Sequence, residues 1–260
     1  MMKIKLTALS ALLFISNLVL AQNAHFTTSG TIEYEKSVNM FAVIKRLYAE
    51  RMSEGFIKNA YDQYKKTQPQ FKVLKSKLAF GDNRTLFTPI APENASGSFF
   101  FVPMTDQNNI VYTDLDSHAQ TAQKLVFEET FLLKDSVRKI KWKVTDETRE
   151  IAGYSCRRAN GLMMDSIYVV AFFATQIPVS GGPESFSGLP GMILEVALPH
   201  ENITWRATKV TETFTDGGAL TPPKKGKPVN GKQLAETLKE VFKNQGDAAL
   251  INFYTKFYLM

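Results

Sequence analysis

The sequence has one cysteine in 260 residues, Cys156. A lone cysteine allows no internal disulfide, so stability has to come from a hydrophobic core, and a composition 44% apolar supplies one. Cys156 is read as a packed structural residue, a small hydrophobe rather than a reactive thiol. Histidine is almost as scarce. His25 lies near the start of the exported chain, His118 in a turn and His200 in a hairpin loop. Three scattered histidines and one cysteine fit no standard zinc spacing. No serine sits in a Gly-x-Ser-x-Gly elbow. Asp114 and Asp116 alternate along a strand and read as a solvated face. No catalytic residue, metal site or cofactor is assigned.

Charge of one sign is also missing. The formal charge is +6, two units of which come from Lys3 and Lys5. This diffuse, mild excess does not point to nucleic acid. Gly226 to Gln233, "GKPVNGKQ", imitates a phosphate loop. It carries Gln233 where Ser or Thr must hold magnesium, and it follows a Pro/Lys-rich linker, so nucleotide binding is excluded. Long apolar runs are confined to Leu6–Leu20. That run follows Lys3 and Lys5, ends in Val19-Leu20-Ala21 and is too short to span a bilayer comfortably. Residues 1–21 therefore read as a cleaved signal peptide, which sends the chain to the periplasm or outer membrane.

Beyond the leader the pattern is mostly β. Residues 30–38 alternate Ile32 and Tyr34 with Glu33 and Glu35 and predict a first strand. Residues 41–66 change to helical spacing, loosened at Gly55 and ended by Gln68-Pro69. Strands are predicted over 71–80 and 84–88, joined by the turn "GDNR", and over 109–116 and 121–134. A further strand, 140–144, turns Ile140, Trp142 and Val144 to one side. Residues 153–159 and 166–174 read as a hairpin. Residues 215–231 read as a Gly/Pro/Lys linker. Asn230 and Gln233 form a capping box for a helix with the stripe Leu234, Leu238, Val241, Phe242. The aromatic tail 247–258 packs back.

The last hairpin has one self-consistent register. If residues 199–202 form the loop, Leu198 pairs with Ile203, Val196 with Trp205 and Glu195 with Arg206. One face is then apolar and the other carries a cross-strand ion pair, so Glu195 and Arg206 read as structural. Just before it, Gly181-Gly182-Pro183 and Gly188-Leu189-Pro190-Gly191 bracket Glu184-Ser185-Phe186-Ser187. Leu-Pro-Gly suits a type II turn, and β alternation, not a helix, follows. The stretch predicts a rigid corner at a sheet edge. Its open backbone also lets a ligand approach, which makes Pro183, Glu184, Phe186, Gly188, Leu189, Pro190 and Gly191 the candidate ligand-binding residues.

"SGLPGMILEV" (187–196) resembles the signature of the GLPGLI family, exported proteins of Gram-negative Bacteroidota. "WKVTDETREIAGYSCRRA" (142–159) and "QIPVSGGPESFSGLPG" (176–191) are similar to two further blocks of that family, and "YTDLDSH" (112–118) matches less closely. Trp142, Tyr154 and Cys156 fall in these blocks and are taken as structural. Met192 departs from the signature, and "MMDSIYVVAFFA" lacks the family's basic hairpin turn. The resemblance implies export and a role at the cell envelope and supplies no catalytic residues.

The expected fold is a mainly β, α+β domain over residues 22–214. Its curved antiparallel sheet or half-barrel has eight to ten strands, covered by the 41–66 helix and a C-terminal helix, with a tail over 215–260. The 19 Phe, 9 Tyr and 2 Trp suit either a cupped apolar interior or plain core filling. The expected role is noncatalytic: binding a small apolar or peptidic ligand or an outer-membrane partner. The alternatives are an adaptor docking to an outer-membrane receptor and an unrecognised hydrolase or peptidase.

Overall fold

The computed structural model describes residues 25–91, 99, 100, 102, 105, 109–126, 128–214, 217–243 and 248–260. The expected signal segment, Phe127 and most of the 91–108 loop lie outside the described residues. Strand β1 (Gly30–Asn39) leads into helix α1 (Met40–Leu47), a 3-10 turn (Ala49–Ser53) and helix α2 (Gly55–Thr67). The single helix expected over 41–66 is thus two. Asn39 caps α1 by accepting from the Ala42 amide, and α2 starts afresh at Gly55.

Five strands then run back and forth: β2 (Phe71–Gly81), β3 (Arg84–Pro89), β4 (Ile110–Asp114), β5 (Ala119–Val126) and β6 (Glu129–Ser136). Asp82 and Asn83 both adopt positive φ, which suits the tight β2–β3 hairpin. The strand expected over 121–134 is two, folded back so that Val126 faces Glu129. A second run holds β7 (Lys141–Ile151), β8 (Tyr154–Met163), β9 (Ile167–Ala174), β10 (Met192–Leu198) and β11 (Ile203–Glu212). The two runs join where β1 pairs with β11 on one side and β2 on the other. Within the supposed linker, β12 (Lys227–Val229) adds to β6 in parallel. The result is one open, twelve-stranded, almost wholly antiparallel sheet with β12 and β7 at its edges.

The β10–β11 register is the one the sequence predicts: Leu198 with Ile203, Val196 with Trp205, Glu195 with Arg206. Helices α3 (Gly231–Phe242) and α4 (Ala248–Leu259) follow. Asn230 and Gln233 make both capping-box hydrogen bonds. Leu234, Leu238 and Phe242 are buried with Ile32, Leu78 and Phe131, but Val241 is 41% exposed and leaves the expected stripe. Val43 and Ile44 of α1 pack with Val38, Leu198 and Trp205. Helix pairs therefore flank the sheet from both ends of the chain. No helix among the described residues is long and apolar enough to cross a membrane.

Candidate functional site

Along β1 the buried positions are Ile32, Tyr34, Lys36 and Val38, with strand spacing on one face. Lys36 is the anomaly, an ammonium only 5% exposed on an apolar face. Lys124 repeats it on β5, between Ala122 and Val126, at 1% exposure. A buried charge is costly unless paired. The partner comes from the signature loop, residues 175–191, which packs into the interior of the fold.

Glu184 sits in that loop after Pro183, at φ +49, a conformation unfavourable for a residue with a Cβ. Its carboxylate is fully engaged. Oε1 accepts from Lys36 Nζ at 3.3 Å and Trp205 Nε1 at 3.1 Å; Oε2 accepts from Asn109 Nδ2 at 3.0 Å. Burial works to raise this carboxyl, but Lys36, Lys124 and the Asn109 hydrogen bond outweigh it and hold it below the ordinary value. The Lys36 ammonium also lies 4.8 Å from the Trp205 ring centroid and 5.5 Å from that of Phe257. Lys124 is less well served. Burial lowers it to about 8; Glu184 opposes the fall, and Arg138 and Lys36 add to it. Its Nζ, Ser76 Oγ and Asn109 Oδ1 have no hydrogen-bond partner among the described residues. A cavity of about 20 Å³ adjoins Lys36, Ser76, Asn109 and Glu184, room for a single water.

The rest of the loop is tied down. Phe186 and Leu189 are buried, and Phe186 meets the Trp205 ring edge-to-face at 5.6 Å. Ser185 Oγ donates to the Met260 main-chain oxygen at 2.5 Å, and Arg138 Nη2 to the Leu259 carbonyl at 2.7 Å, so the end of α4 docks on the loop. Trp142 Nε1 donates to the Ser187 carbonyl at 2.9 Å, beside Gly188 at φ +93. Gly188 and Pro190 reach the surface. The Leu-Pro-Gly turn differs from the type II expectation. Gly191 N–H donates to the Leu189 carbonyl, because Met192 N–H is taken by Ile177. Gly191 is obligatory: a Cβ there would lie 2.3 Å from the Ala174 carbonyl oxygen.

The structural candidates lie on the neighbouring strands. Arg149 Nη1 donates to Glu195 Oε1 at 2.8 Å, and Arg206 Nη1 lies 3.1 Å from Oε2, an ion-pair contact without hydrogen-bond alignment. The Arg149 guanidinium also covers the Phe172 ring, 3.8 Å from its centroid. Tyr154 Oη shares a hydrogen bond with Thr27 Oγ1 at 3.1 Å. Burial, with Glu195 adding, pushes the Cys156 thiol up to about 12. The native protein is accordingly expected to resist Ellman's reagent at pH 8 and to release one thiol per chain on denaturation; fast native labelling would contradict this burial. Asp114 and Asp116 do not share a strand face. Asp114 accepts from the Asp116 and Ser117 amides at the end of β4, and Asp116 lies in the turn. No group of three or more His, Cys, Asp and Glu among the described residues is placed to hold a metal.

Sequence reading thus found Glu184 but missed Lys36, Asn109, Lys124 and Trp205 as its surroundings. The available signal was parity. A lysine at the same spacing as Ile32, Tyr34 and Val38, or as Ala122 and Val126, points inward and needs a counter-charge.

Residues 160–195, from β8 through the loop into β10, match the model of a protein family of unknown function, Porph_ging. The matched residues take in all but the last residue of the signature segment 187–196. No curated protein matches the chain. Among solved structures, PNGF-II in space group P21 aligns at TM-score 0.49 and 16% identity, covering 84% of this chain and 34% of that one. PNGF-II in space group C2 aligns at TM-score 0.50 and 15% identity, covering 83% and 33%. The chain spans about a third of the length of PNGF-II. At this identity the likeness is one of fold.

Proposed function

We propose that this chain is a noncatalytic module of the cell envelope that docks an outer-membrane protein by its surface. One observation carries the reading: the signature loop fills the fold's interior itself and leaves about 20 Å³ beside Glu184. The chemistry agrees. A general acid or base needs a carboxyl poised near neutrality with a lone pair free for substrate. Glu184 is held low and both of its oxygens accept from protein donors. Cys156, at about 12, has no thiolate to offer.

The surface, in contrast, presents aromatics. Phe56 is 69% and Phe99 61% exposed, edge-to-face at 5.6 Å, and Phe99 rests on buried Phe100. Aromatic residues are enriched in protein interfaces. The leader-like N-terminus and the family resemblance support export.

The test is capture from detergent-solubilised outer membranes of the source organism. Immobilised residues 22–260 are expected to retain a stoichiometric membrane protein that the Phe56→Ser, Phe99→Ser double variant, with unchanged circular dichroism, releases. Equal capture by both proteins would sink the docking surface, and no stoichiometric capture would sink the docking role.

A further inference from the structure

A second cavity, of about 240 Å³, opens between α4, the β8–β9 turn and the 3-10 turn Pro199–Glu201. It shares Phe257 and Met260 with the surroundings of the signature loop but opens elsewhere, and it is independent of the docking reading. Its floor is apolar: Ile167, Phe257 and Met260 are buried and Phe253 is half-buried. Its rim is polar, with Ser166, Glu201, Asn252 and Lys256. Apolar walls with a few convergent polar groups characterise small-ligand sites, and the volume lies just under their usual range of about 300–1,000 Å³.

The charge at the rim is lopsided. The Glu201 carboxylate is already matched by Arg46, whose Nη2 lies 2.6 Å from Oε2. The same guanidinium sits 4.6 Å from the Phe253 ring centroid and donates to the His200 carbonyl. Lys256 has no such counter-charge. Its Nζ donates to Ser166 Oγ at 2.7 Å and meets no carboxylate among the described residues. One ammonium therefore stands without an ion-pair contact among the described residues, at the edge of an apolar floor.

We propose that this cavity binds a small apolar carboxylate. The alkyl or aryl body lies on Ile167, Phe253, Phe257 and Met260; the carboxylate meets Lys256 Nζ, and the Ser166 hydroxyl, which donates to the Met164 carbonyl at 3.2 Å, turns from it to donate a second hydrogen bond. A neutral ligand leaves the ammonium unmatched. A cation is opposed by Lys256 and Arg46. A bare phosphate makes no use of the floor. A free organic acid and the carboxyl end of a polypeptide share the required chemistry.

Isothermal titration of residues 22–260 tests this with two acid–amide pairs: octanoate with octanamide, and N-acetyl-leucyl-phenylalanine with its carboxamide. At least one acid is expected to bind at one site, about fivefold or more tighter than its amide, the margin of a charge-assisted hydrogen bond at a half-open rim. A preference seen only with octanoate identifies a free acid; one seen only with the peptide identifies a chain end. Lys256→Gln is expected to erase the preference and Lys256→Arg to keep it. Asn252→Asp, at an exposed rim position, is expected to weaken the acid alone. The proposal is overturned if neither acid binds at about 10 mM, if acid and amide bind alike, or if Lys256→Gln leaves the preference intact. Circular dichroism confirms that each variant is folded.

Discussion

Replacing Glu184 by alanine is expected to lower the unfolding free energy by about 3–5 kcal/mol, the cost of breaking a buried ion pair from one side. The carboxylate is the counter-charge for Lys36 and the attractive partner of Lys124, both buried. Its loss also strips Trp205 Nε1 and Asn109 Nδ2 of their acceptor. Alanine recovers no backbone strain, because it tolerates φ +49 no better than glutamate. For a domain of this size the midpoint should fall by about 10 °C, at roughly 2–4 °C per kcal/mol. Urea and thermal unfolding measure it. A loss under about 1 kcal/mol would show that the loop is held by its apolar residues alone. The double variant Lys36→Met, Glu184→Gln should recover part of the loss. Because the carboxyl is held low, its contribution is complete above the unfolded-state value of about 4.3 and fades as pH falls through the lower folded value.

Lys124→Met is expected to do the opposite and stabilise the protein at pH 7 by about 1–3 kcal/mol. Folding draws the lysine from an unfolded value near 10.4 to about 8, which at pH 7 opposes the fold by up to about 3 kcal/mol. Methionine keeps the length and removes the charge, and Glu184 retains Lys36, Asn109 and Trp205. The pH dependence separates this from simple packing. Between about pH 8 and 10.4 the unfolded state holds more protons at this site than the folded state, so wild-type stability rises with pH there. The gain from methionine should shrink over the same window. A constant gain would mean that shape, not charge, is responsible. A loss at pH 7 would mean that Lys124 has a partner it needs.

Much of the sheet was legible locally. The β10–β11 register followed because a loop over 199–202 is the one length that satisfies both faces of the hairpin. The β2–β3 turn followed from Asp82 and Asn83. Where turn chemistry is absent, the reading failed: nothing at Glu128 signals reversal, so β5 and β6 merged. The strand β12 hid in Gly-Lys-Pro-Val, since a parallel edge pairing to β6 leaves no trace in neighbouring residues. At the site, the sequence placed Glu184 between glycines and prolines, which reads equally as a corner or a binding loop. Its partner Lys36 is 148 residues away. Only the fold decides that the carboxylate looks inward.

The placement of β1 bears on how the chain reaches this state. Strands β2–β6 and β7–β11 are two runs of local hairpins, each able to form early. The seam between them pairs residues 30–38 with 203–212, a closure that spans most of the chain. Non-local pairing of this kind slows folding, because loop entropy is lost before the contacts return it. Until residues 203–212 are available, β1 is paired on the β2 side alone, Glu184 lacks its Trp205 donor, and two strand edges stay exposed. The inward-facing Lys36 then has a second consequence: a charge on the waiting strand, which discourages β1 from joining another chain's sheet before its own is complete.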